Sequence, residues 1–300
     1  MSNDIIQVKT ITQLHELIGG AKPKHPLISI IDYANVEMPT KNFYQQFSMD
    51  FYSISLKNGD CGITYGRKHY DFEEGVMVFT TPNQTITVDS SEGSYSGWGM
   101  YVHPDLIRNS NLGQHINDYS FFSYNSVEAL HLSDEEKSII LNCVNNIKNE
   151  YNQYIDNYSQ TLLVSNLELL LNYCMRFFGR QFNTRTNHHQ DIVAQFESYL
   201  YDYFNDDNLS ENGLPTVQSC AEKVNLSANY LSDLLKKETG KTAQEHIHLM
   251  MIGKAKTLLI NSNLSIKEIA YDLGFEYPHY FSRIFKSKTG QTPVAYRNLN

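Results

Sequence analysis

Two sets of side chains, fifty residues apart, have the types needed to read a polyanion with an ordered edge of donors and acceptors. Asn229, Ser232, Asp233 and Lys236 recur as His279, Ser282, Arg283 and Lys286. Arg283 can pair bidentately with guanine and Asn229 with adenine, and a carboxylate such as Asp233 can accept from the cytosine amine. Lys236 and Lys286 lie farther along and suit phosphates. A third set, Tyr52, Tyr65, His69, Tyr70, Trp98 and Tyr101, could line a small-ligand cavity or pack as plain core.

The first two sets need rigid support, and a duplicated unit supplies it. Tyr230–Thr242 matches Tyr280–Thr292 at an offset of 50, with Tyr, Ser, Lys, Thr, Gly and Thr identical and three further apolar-for-apolar exchanges. Upstream the match continues at an offset of 49, pairing Thr216 with Ser265, Ala221 with Ala270 and Asn225 with Gly274. A unit seen twice is a duplication, not a solenoid. Each copy reads as helix, tight turn, helix. Ser265 and Glu268 form a capping box, and Thr216 and Ser227 are further caps. Gly274 and Asn225 stand where the first helix must end with positive φ. Pro278 suits the first turn of the next helix. Tyr280, Phe281, Ile284 and Phe285 are expected to form its buried stripe. Between the copies, about 20 residues from Thr242 to Asn261 read as one helix of about 30 Å. Successive major grooves on one face of a duplex lie ~34 Å apart.

The first two thirds read differently. From about residue 26 to 102, short apolar runs are cut by Gly, Asn, Asp or Pro: Phe51–Leu56, Cys61–Gly66, Val76–Phe79, Ile86–Val88 and Gly97–Val102. Evenly spaced short strands suggest a small barrel or sandwich. From about 104 to 182 the period becomes helical. Ser133 and Glu136 make a capping box, followed by Ile140, Cys143, Val144, Ile147, Tyr151 and Tyr154. A second stripe runs Leu163, Leu167, Leu170, Leu171, Cys174, Phe177, Phe178 and serves as core or as a dimer seam. Residues 183–190 are polar, lack apolar periodicity and read as a linker, with His188 and His189 solvated. The expected domains are therefore 1–182, then 191–300 with the paired motifs at about 216–239 and 265–289.

Composition excludes several classes. The 300 residues are 41% hydrophobic and 19% charged, so the chain is no disordered polyelectrolyte. No run of 18 apolar residues offers a membrane span, and the first residues lack a secretory pattern, so a cytoplasmic protein is expected. Cys61, Cys143, Cys174 and Cys220 are scattered, giving neither a disulfide framework nor a zinc pattern. The net charge of −9 is uneven: residues 215–300 carry +4 and the rest −13. A basic segment on an acidic body suggests a local polyanion partner.

Ile266–Phe275, Tyr280–Lys286, Gly290–Pro293 and Tyr296-Arg297 resemble the signature of the AraC family of bacterial transcription regulators. The resemblance covers residues 215–300. It implies an all-α double helix-turn-helix domain that binds double-stranded DNA, with Asn229, Ser232, Asp233, His279, Ser282 and Arg283 as base-reading positions. Two departures stand out. The family often has Arg where Asp233 and Met251 stand, and Gly253 weakens its helix by ~1 kcal/mol. Family resemblance also implies a cupin-like N-terminal β-barrel followed by helices, a small-molecule effector, a homodimer, and recruitment of RNA polymerase as an activator. Tyr52, Tyr65, His69, Trp98 and Tyr101 are the ligand-binding candidates. Enzymatic cupins hold a metal with a closely spaced His pair. The strand region here has His69 and no such pair, so no metal, cofactor or catalytic residue is expected. Two rival readings remain: a cupin-type enzyme fused to a DNA-binding domain, and an adaptor acting through protein partners.

Overall fold

The computed structural model describes residues 5–36, 44–58, 75–89, 96–125, 128–184, 186–205 and 209–299. The chain divides into two compact units, Met1–Thr184 and Arg185–Asn300.

The first unit opens with β1 (Ile6–Val8), α1 (Ile11–Leu17), β2 (Ile28–Asp32), β3 (Tyr44–Met49) and β4 (Tyr52–Asn58). Then come β5 (Val76–Thr80), β6 (Thr85–Asp89), β7 (Ser96–Val102), the short α2 (Pro104–Ile107) and α3 (Asn111–His115), and β8 (Leu130–His131). Two long helices close it, α4 (Asp134–Tyr151) and α5 (Ser159–Thr184). Among the described residues the strands form two sheets rather than a closed ring. One has the order β1-β3-β6, the other β2-β7-β4-β5-β8. The expected strand at Cys61–Gly66 lies outside the described residues.

The pleat gives the five-stranded sheet two distinct faces. Leu56 pairs with Trp98 and Met77, and Ile54 with Met100 and Phe79. These residues share one apolar face, where Phe79 meets Phe121, Phe122 and, on α5, Phe178. Ser53, Ser55, Thr80, Gly99 and Tyr101 occupy the other face by the same register. There Ile31 and Tyr101 join a cluster with Val8, Ile11, Phe47 and Met49, which packs this face against the smaller sheet and α1. The capping box forms as expected: Ser133 accepts from the Glu136 amide at 3.3 Å and its own amide donates to Glu136 at 3.0 Å. Arg180 of α5 then clamps the Glu136 carboxylate at 2.5 Å, tying the two helices together. The stripe from Leu163 to Phe178 is buried, whereas α4 stops at Tyr151 and leaves Tyr154 exposed.

The second unit is all helical: α6 (Thr186–Asn205), α7 (Leu209–Asn212), α8 (Val217–Lys223), α9 (Ala228–Thr239), α10 (Ala243–Asn261), α11 (Ile266–Asp272), α12 (Pro278–Thr289) and α13 (Pro293–Leu299). The linker expected at 183–190 is instead helical on both sides of residue 185. The reason lies in spacing. Ile192, Phe196, Leu200 and Phe204 form a buried stripe at helical intervals, and His189 continues it one turn back at 1% exposure. Among the described residues no helix is long and apolar enough to cross a membrane.

Two glycines carry opposite constraints. Gly274 ends α11 with φ +79°, and a Cβ there would lie 2.6 Å from the Gly213 Cα and 2.9 Å from the Leu209 carbonyl oxygen. Gly253 lies inside α10 with nothing within 4 Å of its missing Cβ. Gly253→Ala is therefore expected to raise stability by up to about 1 kcal/mol. Gly274→Ala should lower it by at least about 1–2 kcal/mol from the φ penalty alone. Thermal unfolding of both variants checks this; equal effects would contradict the close approach.

Candidate nucleic-acid interface

The two helix pairs are built alike. In each, the first helix is short, boxed at its start by Thr216 or Ser265, and closed by one residue in the left-handed region. Those residues are Asn225 at φ 57° and Gly274 at 79°. The next amide folds back equally in both copies. Leu226 N–H donates to the Ala221 carbonyl and Phe275 N–H to the Ala270 carbonyl, each at 2.9 Å. This closure satisfies carbonyls that the helix end would orphan. Ala221 and Ala270 are fully buried, so small side chains sit where each pair crosses.

The second helix of each pair is held by one face and bare on the other. Tyr230, Leu231, Leu234 and Leu235 bury α9, while Phe281 and Phe285 bury α12. Asn229 and Lys236 are exposed on α9, with Ser232 and Asp233 partly so. On α12, His279, Arg283 and Lys286 are exposed and Ser282 is partly exposed. All eight sequence-predicted positions thus lie on or at the edge of an open face. Among the described residues, Lys236, Arg283 and Lys286 form no ion pair within the chain.

The copies also differ. Ser227 caps α9 by accepting from the Tyr230 amide at 3.3 Å. Tyr277 precedes α12 without a side-chain cap, and Pro278 fills the first turn. Tyr280, expected in the buried stripe, is 42% exposed, whereas its counterpart Tyr230 is 4% exposed. The cores explain this: α9 packs against α6, where the Tyr230 ring faces the buried His189 ring, 6.5 Å away. His189 itself lies 3.9 Å from Glu238 of α9. Sequence reasoning missed this anchor because it placed His189 in a linker.

The helix between the pairs runs over Ala243–Asn261, 19 residues, which is about 28 Å. Met251 is fully buried in it, so this departure from the family pattern sits in the core.

Among the described aromatic candidates of the first unit, Tyr101 is set apart from Tyr52 and Trp98. Tyr52 and Trp98 lie on the helix-facing side of the large sheet and Tyr101 on the opposite side, because register fixes the face. Tyr65, His69 and Tyr70 lie outside the described residues. Around Tyr101 the structure instead gathers hydroxyls. Tyr33 Oη is 2.9 Å from Ser55 Oγ and 3.3 Å from Tyr101 Oη, and Ser53 Oγ is 2.7 Å from Thr80 Oγ1. Any Cβ at Gly99 would collide with the Tyr33 hydroxyl. Tyr33 and Ser55 carried no signal in the sequence, since a lone Tyr and Ser mark no motif.

Comparison with known proteins finds several similarities. A family model described as a helix-turn-helix domain matches residues 220–299. The uncharacterized HTH-type transcriptional regulator YfiF of Bacillus subtilis (strain 168) is 25% identical over 256 residues, 83% of this chain and 77% of that protein. The HTH-type transcriptional activator RhaR of Escherichia coli O1:K1 is 35% identical over 82 residues, 27% of each chain. Among solved structures, the C-terminal domain of AraT, a response regulator from Geobacillus stearothermophilus, is 33% identical. It covers 36% of this chain and 85% of its own, with a TM-score of 0.32.

The hydroxyl cluster has a pH consequence. Burial, with Tyr33 alongside, pushes the Tyr101 phenol well above the ordinary value of 10.0, and burial raises Tyr33 too. A folded-state value above the unfolded one means stability is full below about pH 10 and is lost as pH rises beyond it. Circular dichroism followed against tyrosine absorbance should show this alkaline loss, reduced in a Tyr33→Phe/Tyr101→Phe variant. Identical alkaline profiles would contradict it.

Proposed function

We propose that the chain is a transcription regulator of the AraC type, with its helix-turn-helix domain at residues 220–299. The domain reads DNA sequence with two recognition helices, α9 and α12, set in adjacent major grooves. One observation carries this: the same open polar face occurs twice, in two helix pairs joined by one uninterrupted helix of about 28 Å. Asn229, Ser232, Asp233, His279, Ser282 and Arg283 face base edges, and Lys236 and Lys286 meet phosphates.

The first unit is read as a cupin-like sensor and dimerisation domain over residues 1–182. Support comes from its two facing sheets followed by two long packed helices. Effector binding would change dimer geometry or free the DNA domain, which would recruit RNA polymerase in the cytoplasm, as an activator. Sedimentation of the full chain as a monomer would contradict the dimer.

The function is tested by selecting duplexes from a random pool with the full-length chain. Two enriched blocks about one helical turn apart are expected, and no enrichment would contradict sequence reading. On the selected duplex, Arg283→Ala should cost about 1–3 kcal/mol and relax one base position. An equal loss on random DNA would make Arg283 a phosphate contact. Lys286→Ala should reduce the salt slope by about one unit, and an unchanged slope would refute its phosphate role.

A further inference from the structure

We propose that Tyr280 is a positioning residue for base reading: its ring holds the Arg283 guanidinium on the open face of α12 before DNA arrives. The inference rests on the reading of α12 as a base-reading helix. The Arg283 guanidinium carbon lies 5.0 Å from the centre of the Tyr280 ring, a cation–π distance, on residues three apart along one helix face. The ring is itself braced. His279 packs on it at 4.3 Å and Tyr277 meets it edge-on at 6.0 Å.

Three features separate this arrangement from ordinary packing. The core of α12 is filled by Phe281 and Phe285, and Tyr280 is 42% exposed. No carboxylate among the described residues pairs with Arg283, so the aromatic face is the group that orders it. The pairing belongs to the second motif alone, since the first has Tyr230 buried and Asp233 at the position of Arg283. Bidentate reading of guanine needs the planar guanidinium fork in one orientation. A side chain already held in that orientation loses less freedom on binding. The second motif is therefore the more selective reader of the two.

The test compares the full-length wild type with Tyr280→Leu, Tyr280→Phe, Arg283→Ala and the Tyr280→Leu/Arg283→Ala pair. The probes are the selected duplex, its single-base variants and a random duplex. Tyr280→Leu is expected to reduce discrimination by about two- to five-fold, at the base position that Arg283→Ala flattens. It should leave affinity for the random duplex unchanged. Tyr280→Phe keeps the ring face and should keep the wild-type profile. In the pair, Tyr280→Leu should add nothing to Arg283→Ala. A wild-type profile for Tyr280→Leu, a uniform loss on all duplexes, or additive effects in the pair would overturn the inference while the reading of α12 stands. An unchanged profile for Arg283→Ala would overturn that reading itself.

Discussion

The placing of the two helix pairs of the C-terminal unit depends on α10 staying one continuous helix. It starts in a capping box: Thr242 accepts from the Glu245 amide, and the Thr242 amide holds the Glu245 carboxyl below its ordinary range. Ala243, Ile247, Met251, Ala255 and Leu259 are buried along its length. Lys254 reaches the Phe204 carbonyl of α6, and Arg297 of α13 donates to the Leu259 carbonyl at 3.0 Å. Neighbours therefore grip α10 at its middle and its end. Gly253 is its one weak residue, and it lies on the exposed side, where it costs helix propensity but leaves no packing defect.

Helix α6 plays the matching role from the other side. It carries His189 toward α9 near its start. Near its end the Tyr203 hydroxyl donates to the Gly213 carbonyl at 3.0 Å. Gly213 in turn lies under Gly274, the turn residue of the second helix pair. One amphipathic helix thus supports the second helix of the first pair and the turn of the second. Two short helices of seven residues, α8 and α11, could not hold those geometries unaided, since isolated helices of that length are marginal in water.

What the sequence makes legible follows from how local each cause is. Caps at Ser133, Thr216, Ser227 and Ser265, the left-handed turn at Asn225 and Gly274, and the inter-motif helix depend on residues within a few positions. All are found as read. Strand placement from Phe51 to Val102 was legible for the same reason wherever the residues are described. Side-chain destinations set by distant partners were not. Tyr280 sits in the repeat of a buried tyrosine, yet among the described residues nothing equivalent to α6 covers it. His189 looks solvated until the stripe of Ile192, Phe196 and Leu200 is extended backward. The split of Tyr52 and Trp98 from Tyr101 follows from alternation along strands, but the side facing the helices depends on which sheet face meets Phe121 and Phe178.

The central claim is that α10 fixes the separation of two working recognition helices. The most direct measurement is affinity for the selected duplex as the spacing between its two blocks is varied one base pair at a time. The account predicts a single optimum near one helical turn, about 10 base pairs. Insertion of half a turn should sharply weaken binding, and a full added turn should not restore it. Affinity independent of spacing, or recovered with a full added turn, would contradict a rigid α10 and leave two motifs that bind one at a time.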